Sequence, residues 1–184
     1  MAGLSFMKRA MEDNMWSTLN PKNTLASLLM SIATLIVCAG QAAGEGPSIE
    51  GTYKLVSREL PNGTKQGPPD VLGLITYTKE YRNFNVYVKD ATGKSFSISS
   101  ISTYKLTEKE YSEKNIYYMV NDEGGGKGVT YDLSSSTATS PVSVKERRIE
   151  FQLPLHGEPS VAFEGDKFTA TKKGAFIDYW ERVK

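Results

Sequence analysis

From Ile49 onward the chain alternates apolar and polar residues with a period of two, in short runs separated by turn residues. That period places one face of a strand on a core and the other in water. Ile49, Gly51, Tyr53 and Leu55 share one face of the first run, Ile49–Ser57, and Glu50, Thr52 and Lys54 share the other. The last run, Ala175–Val183, is as strongly patterned. Between them Val71–Thr78 is almost wholly apolar or β-branched, which predicts a strand covered on both faces. Phe84, Val86 and Val88 then alternate with Asn83, Asn85 and Tyr87, and Ile116, Tyr118 and Val120 alternate within Tyr111–Val120. Lys94–Leu106, Val129–Leu133, Val142–Leu153, Ser160–Glu164 and Lys167–Thr171 complete the strand candidates. Pro61-Asn62-Gly63, Gly67–Asp70 and Asp90–Gly93 carry turn residues, and Asn121–Gly128 reads as a mobile acidic and glycine-rich loop. Ser134–Pro141 reads as loose, and Glu108–Lys114 leaves room for a single helical turn.

About eight to ten strands at short, regular spacing predict an all-β fold, an antiparallel up-and-down β-barrel rather than layered sheets. The reason is where the pattern is strongest. Closing a barrel makes the first and last strands neighbours and leaves no free edge.

The N-terminal stretch is of a different kind. Leu25–Ala39 is fifteen residues without a charge, preceded by Lys8, Arg9 and Lys22 and followed by Gly40–Gly44. A basic start, a short apolar run and small residues predict a secretory signal over residues 1–42, cleaved after Ala42. A membrane span needs about 20 apolar residues, so none is expected. Met7, Met11 and Met15 remain alternative starts. Residues 43–48 form a lead-in, and 49–184 the barrel domain. Cys38, the single cysteine, could carry a lipid anchor, although Ile36 and Val37 are bulky where lipoprotein signals place small residues. Export without a cysteine in the mature chain suggests a bacterial periplasm or the cell exterior. Losing Lys8, Arg9, Lys22, Glu12 and Asp13 takes the net charge from +1 to zero. A balanced surface gives no reason to expect nucleic acid as a partner.

Several motifs, in order, resemble the lipocalins. Gly51-Thr52-Tyr53 is similar to the Gly-x-Trp that opens those barrels, with Tyr53 in place of Trp. Arg182 resembles the lipocalin arginine that lies across that ring. Ser102–Thr107, with Tyr111-Ser112-Glu113 and Ile116-Tyr117-Tyr118, looks like a hairpin of the small bacterial lipocalin-like domains. Gly165–Phe168 with Tyr179–Lys184 resembles their ending. The resemblance spans about Ile49–Lys184 and implies barrel closure by Gly51, Tyr53 and Arg182, with Arg182 stacked on Tyr53. The group it points to is largely without assigned functions.

Candidate chemistry is sparse. Tyrosines fall in most of the strand candidates, and a barrel lined by Tyr and Phe suits a flat or apolar ligand. The expected ligand-binding residues are Tyr53, Leu55, Ile75, Tyr77, Phe84, Val86, Tyr118, Phe151 and Trp180, and Ile49 is expected to face inward with them. His156, the lone histidine, reads as a solvated turn residue. No cluster has metal-ligand spacing, so neither metal nor cofactor is expected. The first expectation of function is an exported, monomeric barrel that binds a small apolar or aromatic molecule without catalysis. Two alternatives stand beside it. One is a lipocalin-like isomerase or cyclase using a buried carboxylate, Asp178 or Glu150, although Glu150 alternates with Ile149 and Phe151 as an outer-face residue would. The other is a filled barrel acting on a protein through Pro61–Asp70 or Asn121–Gly128.

Overall fold

The structure, a computed structural model, describes residues 46–90 and 92–184. The expected signal segment, its cleavage site and Cys38 lie outside the described residues. The twelve strands are β1 (Gly51–Glu59), β2 (Lys65–Gln66), β3 (Val71–Tyr77), β4 (Tyr81–Lys89), β5 (Ser95–Leu106), β6 (Glu110–Asp122), β7 (Gly128–Asp132), β8 (Thr137–Lys145), β9 (Arg148–Gln152), β10 (Ser160–Glu164), β11 (Lys167–Lys172) and β12 (Phe176–Arg182).

Ten of them close a ring in chain order, every neighbour antiparallel: β1, β3, β4, β5, β6, β8, β9, β10, β11 and β12, with β12 returning to β1. The closure pairs Tyr53 with Arg182, Leu55 with Trp180 and Arg58 with Asp178. The described residues thus form an all-β, closed, antiparallel ten-stranded barrel, up-and-down as expected. β2 is a short flap on β1, and β7 pairs with the second half of β6. β8 takes the first half of β6 through Thr137–Pro141 and passes to β9 at Val142.

Several details differ from the alternation read along the chain. Leu72 and Leu74 are about half exposed, so β3 is covered on its inner face only, through Val71, Ile75 and Tyr77. Ser134–Pro141 is not loose. Most of it is strand β8, where the buried Ser140 hydroxyl donates to the Gln152 carbonyl at 2.5 Å. Glu110–Lys114 is strand and not helix, because it pairs with both β5 and β8.

Two bulges invert the inward set. In β6, Asn115 faces Ser102 and Tyr117 faces Ile101, so Ile116 is the extra residue and lies exposed. Before that bulge Tyr111, Glu113 and Asn115 are buried. After it Tyr118 faces Ser100, which is itself buried. In β1, Val56 is the extra residue between Leu55 and Ser57. A bulge adds one residue to one strand and so moves every later side chain to the other face. Here it brings Arg58 inside.

One end of the barrel is packed with rings. Tyr53 meets Phe168 at 5.2 Å and Phe163 at 5.8 Å, both edge-on, and Tyr111 stacks on Phe151 at 4.3 Å. Ile49 is buried just ahead of β1, and its carbonyl accepts from the Tyr53 hydroxyl at 3.3 Å. Offset and edge-on ring pairs at such separations stabilise beyond their area burial.

Candidate functional site

Behind this aromatic floor the barrel interior holds a cavity of about 340 Å³. Its walls are largely apolar. Phe84 and Val86 come from β4, Phe96 and Ile98 from β5, Phe168 and Ala170 from β11, and Trp180 from β12. The Trp180 indole lies parallel to Phe168 at 5.3 Å, 7° apart, and tilted to Phe84 at 6.1 Å. It fits because Gly73 has no side chain: a Cβ there would stand 2.7 Å from the indole.

The segment between β9 and β10 folds inward as a further wall. Leu153 and Leu155 are buried, His156 and Gly157 both take a positive φ, and Glu158 is carried into the interior. His156 stacks on Tyr118 at 3.7 Å and lies 3.7 Å from the Asp132 carboxylate on β7. Burial holds the His156 imidazolium below its ordinary range, against the opposing pull of Asp132. Burial likewise pushes the Tyr118 phenol up to about 12. At the rim the Lys172 ammonium donates to the Gly157 carbonyl.

Two buried ion clusters face this space. Arg82 donates to Glu113 at 2.9 Å and to the two Glu158 oxygens at 3.2 and 2.7 Å. Ser102 and Tyr111 donate to Glu113 at 2.5 and 3.1 Å. One guanidinium thus serves two carboxylates at positions only 2 to 5% exposed. Burial and the like charge of Glu113 raise the Glu158 pKa, although Arg82 opposes the shift. Burial would lower the Arg82 pKa, but Glu158 and Glu113 hold it well above its usual value. In the second cluster Arg58 clamps Asp178 with two bonds of 2.6 and 2.7 Å. Burial raises the Asp178 pKa there in spite of Arg58.

Of the residues expected to bind ligand, Ile75, Tyr77, Phe84, Val86, Tyr118 and Trp180 line the cavity. Tyr53, Leu55 and Phe151 do not. They are buried in the ring-filled end and its flank, where the close contacts among aromatic side chains leave them no open surface. Asp178 faces the cavity, whereas Glu150 sits on the outer surface in an exposed pair with Arg148. His156 sits in an exposed turn, as read, but its ring packs against Tyr118 on the cavity wall. Arg58, Arg82, Glu113 and Glu158 were not singled out as site residues. Arg82 shares its parity with Phe84 and Val86, and Glu113 shares that of Tyr111, so both carried a signal. Arg58 depends on the Val56 bulge and Glu158 on a loop, and neither leaves a period to read.

At the barrel seam the Arg182 guanidinium lies 4.9 Å over the Tyr53 ring and donates to its hydroxyl at 2.7 Å. It also donates to the Glu50 carbonyl and pairs with Asp166 at 3.1 Å. A Cβ on Gly51 would lie 2.0 Å from that guanidinium, and the residue sits at φ +140. The positive φ favours glycine, and a Cβ would in addition push the guanidinium aside. No family model, curated protein or solved structure matches the chain.

Proposed function

We propose that this barrel is an exported, lipocalin-like binding protein that holds a small apolar or aromatic molecule in its interior. The observation that carries the reading is the cavity of about 340 Å³ behind the aromatic floor. It lies within the usual size range of small-molecule sites, roughly 300–1,000 Å³, and joins mainly apolar walls to a few convergent polar groups. The lipocalin-like assignment draws on Gly51, Tyr53 and Arg182, which meet at the seam as the resemblance implies. Export and a bacterial source rest on the signal-like pattern of residues 1–42 and the lack of cysteine after Cys38.

A second reading, a lipocalin-like isomerase or cyclase, draws on Asp178 and Glu158, two cavity-lining carboxylates with raised pKa values. Both oxygens of each already accept from a guanidinium, which favours the charged carboxylate and weakens it as a proton acceptor. Binding is therefore preferred. Native mass spectrometry of protein purified from its own host tests the proposal. An adduct lost on unfolding is expected. Recovery of bare polypeptide, together with no effect of apolar aromatic probes on Trp180 fluorescence, would contradict it.

A further inference from the structure

Four buried side-chain polar atoms lack a hydrogen-bond partner among the described residues: Tyr77 Oη, Arg82 Nε, Ser100 Oγ and Trp180 Nε1. Tyr77, Arg82 and Trp180 line the cavity, and each is only 2% exposed. Tyr77 and Arg82 are direct partners across the β3–β4 ladder. The Arg Nε and Trp Nε1 groups can only donate, and a phenol donates readily. Tyr77 Oη lies beside the Arg82 guanidinium, itself a donor, so it is the Tyr77 hydroxyl proton and the Trp180 indole N–H that most lack an acceptor. These atoms are shut off from solvent, and a buried donor left without a partner is costly, so a ligand that brings an acceptor to this wall relieves that cost.

The charges narrow the class further. Arg82 is already engaged by Glu113 and Glu158, and Arg58 by Asp178. Each cavity-lining guanidinium is therefore neutralised, the Lys172 ammonium is held at the rim by the Gly157 carbonyl, and an anionic ligand deeper in the barrel would lie against carboxylates in a low-dielectric interior. A cation fares no better. The Arg82 cluster carries one carboxylate in excess, but a cation drawn to it would face the Arg82 guanidinium and leave the orphaned donors unpaired. We propose that the ligand is a neutral molecule whose apolar, planar body carries a carbonyl- or ether-type oxygen, received by Tyr77, Arg82 and Trp180. This inference rests on the cavity reading above and adds the chemistry of the ligand.

Calorimetric titration of the chain with four probes of one shape provides the test: naphthalene, 2-acetylnaphthalene, 2-naphthoate and 2-naphthylmethylammonium. The acetyl compound is expected to bind about tenfold or more tighter than naphthalene, since a site built to hydrogen-bond discriminates against the analogue that cannot. It should also bind tighter than either ion. In Tyr77→Phe and Trp180→Phe the ratio of acetylnaphthalene to naphthalene affinity is expected to fall. Equal affinities for the two neutral probes, tightest binding by either ion, or an unchanged ratio in both variants overturns the inference and leaves the cavity reading intact. Failure of all four probes to bind overturns both.

Discussion

Arg82 is the side chain on which the interior depends most. A guanidinium 2% exposed and shared between Glu113 and Glu158 cannot be removed without leaving two carboxylates buried together. Breaking a buried ion pair by deleting one partner costs about 3–5 kcal/mol. Arg82→Leu is expected to destabilise the barrel by at least that much in chemical denaturation. Glu158→Gln keeps the shape and removes the excess negative charge, so its loss should be well under half as large. Equal losses would show that the cluster is not organised around Arg82. The seam carries a second expectation. Arg182→Ala removes the stack on Tyr53 and its hydrogen bond, a loss of about 1–2 kcal/mol, or roughly 2–6 °C in Tm for a chain of this size. Gly51→Ala should destabilise by about 1–3 kcal/mol from its backbone conformation alone. The clash with the guanidinium adds to this, and that addition should disappear in the Arg182→Ala background, where a double-mutant cycle measures it.

At the level of elements, the inward-folded segment from Leu153 to Pro159 and the two bulges set the character of the site. His156 is held neutral in the fold by burial, below its ordinary pKa of 6.5. The unfolded chain therefore takes up the proton first as pH falls. The stabilising contribution is complete above about pH 6.5 and is lost as pH falls through the folded pKa. Denaturation at pH 7.5 and 5.5 is expected to show lower stability at the acid value. The difference should narrow in His156→Asn, which tolerates the positive φ at that position. An unaltered pH dependence would place the titrating group elsewhere. The Val56 bulge makes a comparable demand. Deleting Val56 turns Arg58 outward and leaves Asp178 unpaired, so it should cost about as much as Arg58→Leu. The strands themselves were legible in the sequence, because alternation such as Phe84-Asn85-Val86 records directly which face is wet. The bulges were not, since a single unpaired residue changes parity without changing composition. That is why alternation alone groups Ile116 with Tyr118 although the two point to opposite faces. Strand β8 was hidden by a different route: Ser134–Pro141 is polar throughout except for Ala138 and Pro141, so it shows no apolar alternation to read.

For the molecule as a whole, the closed ring makes an enclosed interior possible, and the uneven filling of that ring decides where a ligand goes. Rings from β1, β6, β9, β10 and β11 fill one end, and smaller or better-spaced side chains such as Ala170 and Val86 leave room toward the other. The sequence carried the closure, through the strength of its first and last strands, and six of the cavity-lining residues. It could not separate those six from Tyr53, Leu55 and Phe151, because all nine share inward parity and differ only in depth along the barrel axis. The most direct test of the central claim, that this interior receives a neutral aromatic molecule, is the Trp180 indole N–H resonance during titration with 2-acetylnaphthalene. A saturable shift of that resonance, abolished in Ala170→Phe where a second ring occupies the space, is the expected result. An indole resonance that stays in place while amides of the outer surface around Leu72, Leu74 and Ile101 move would contradict it.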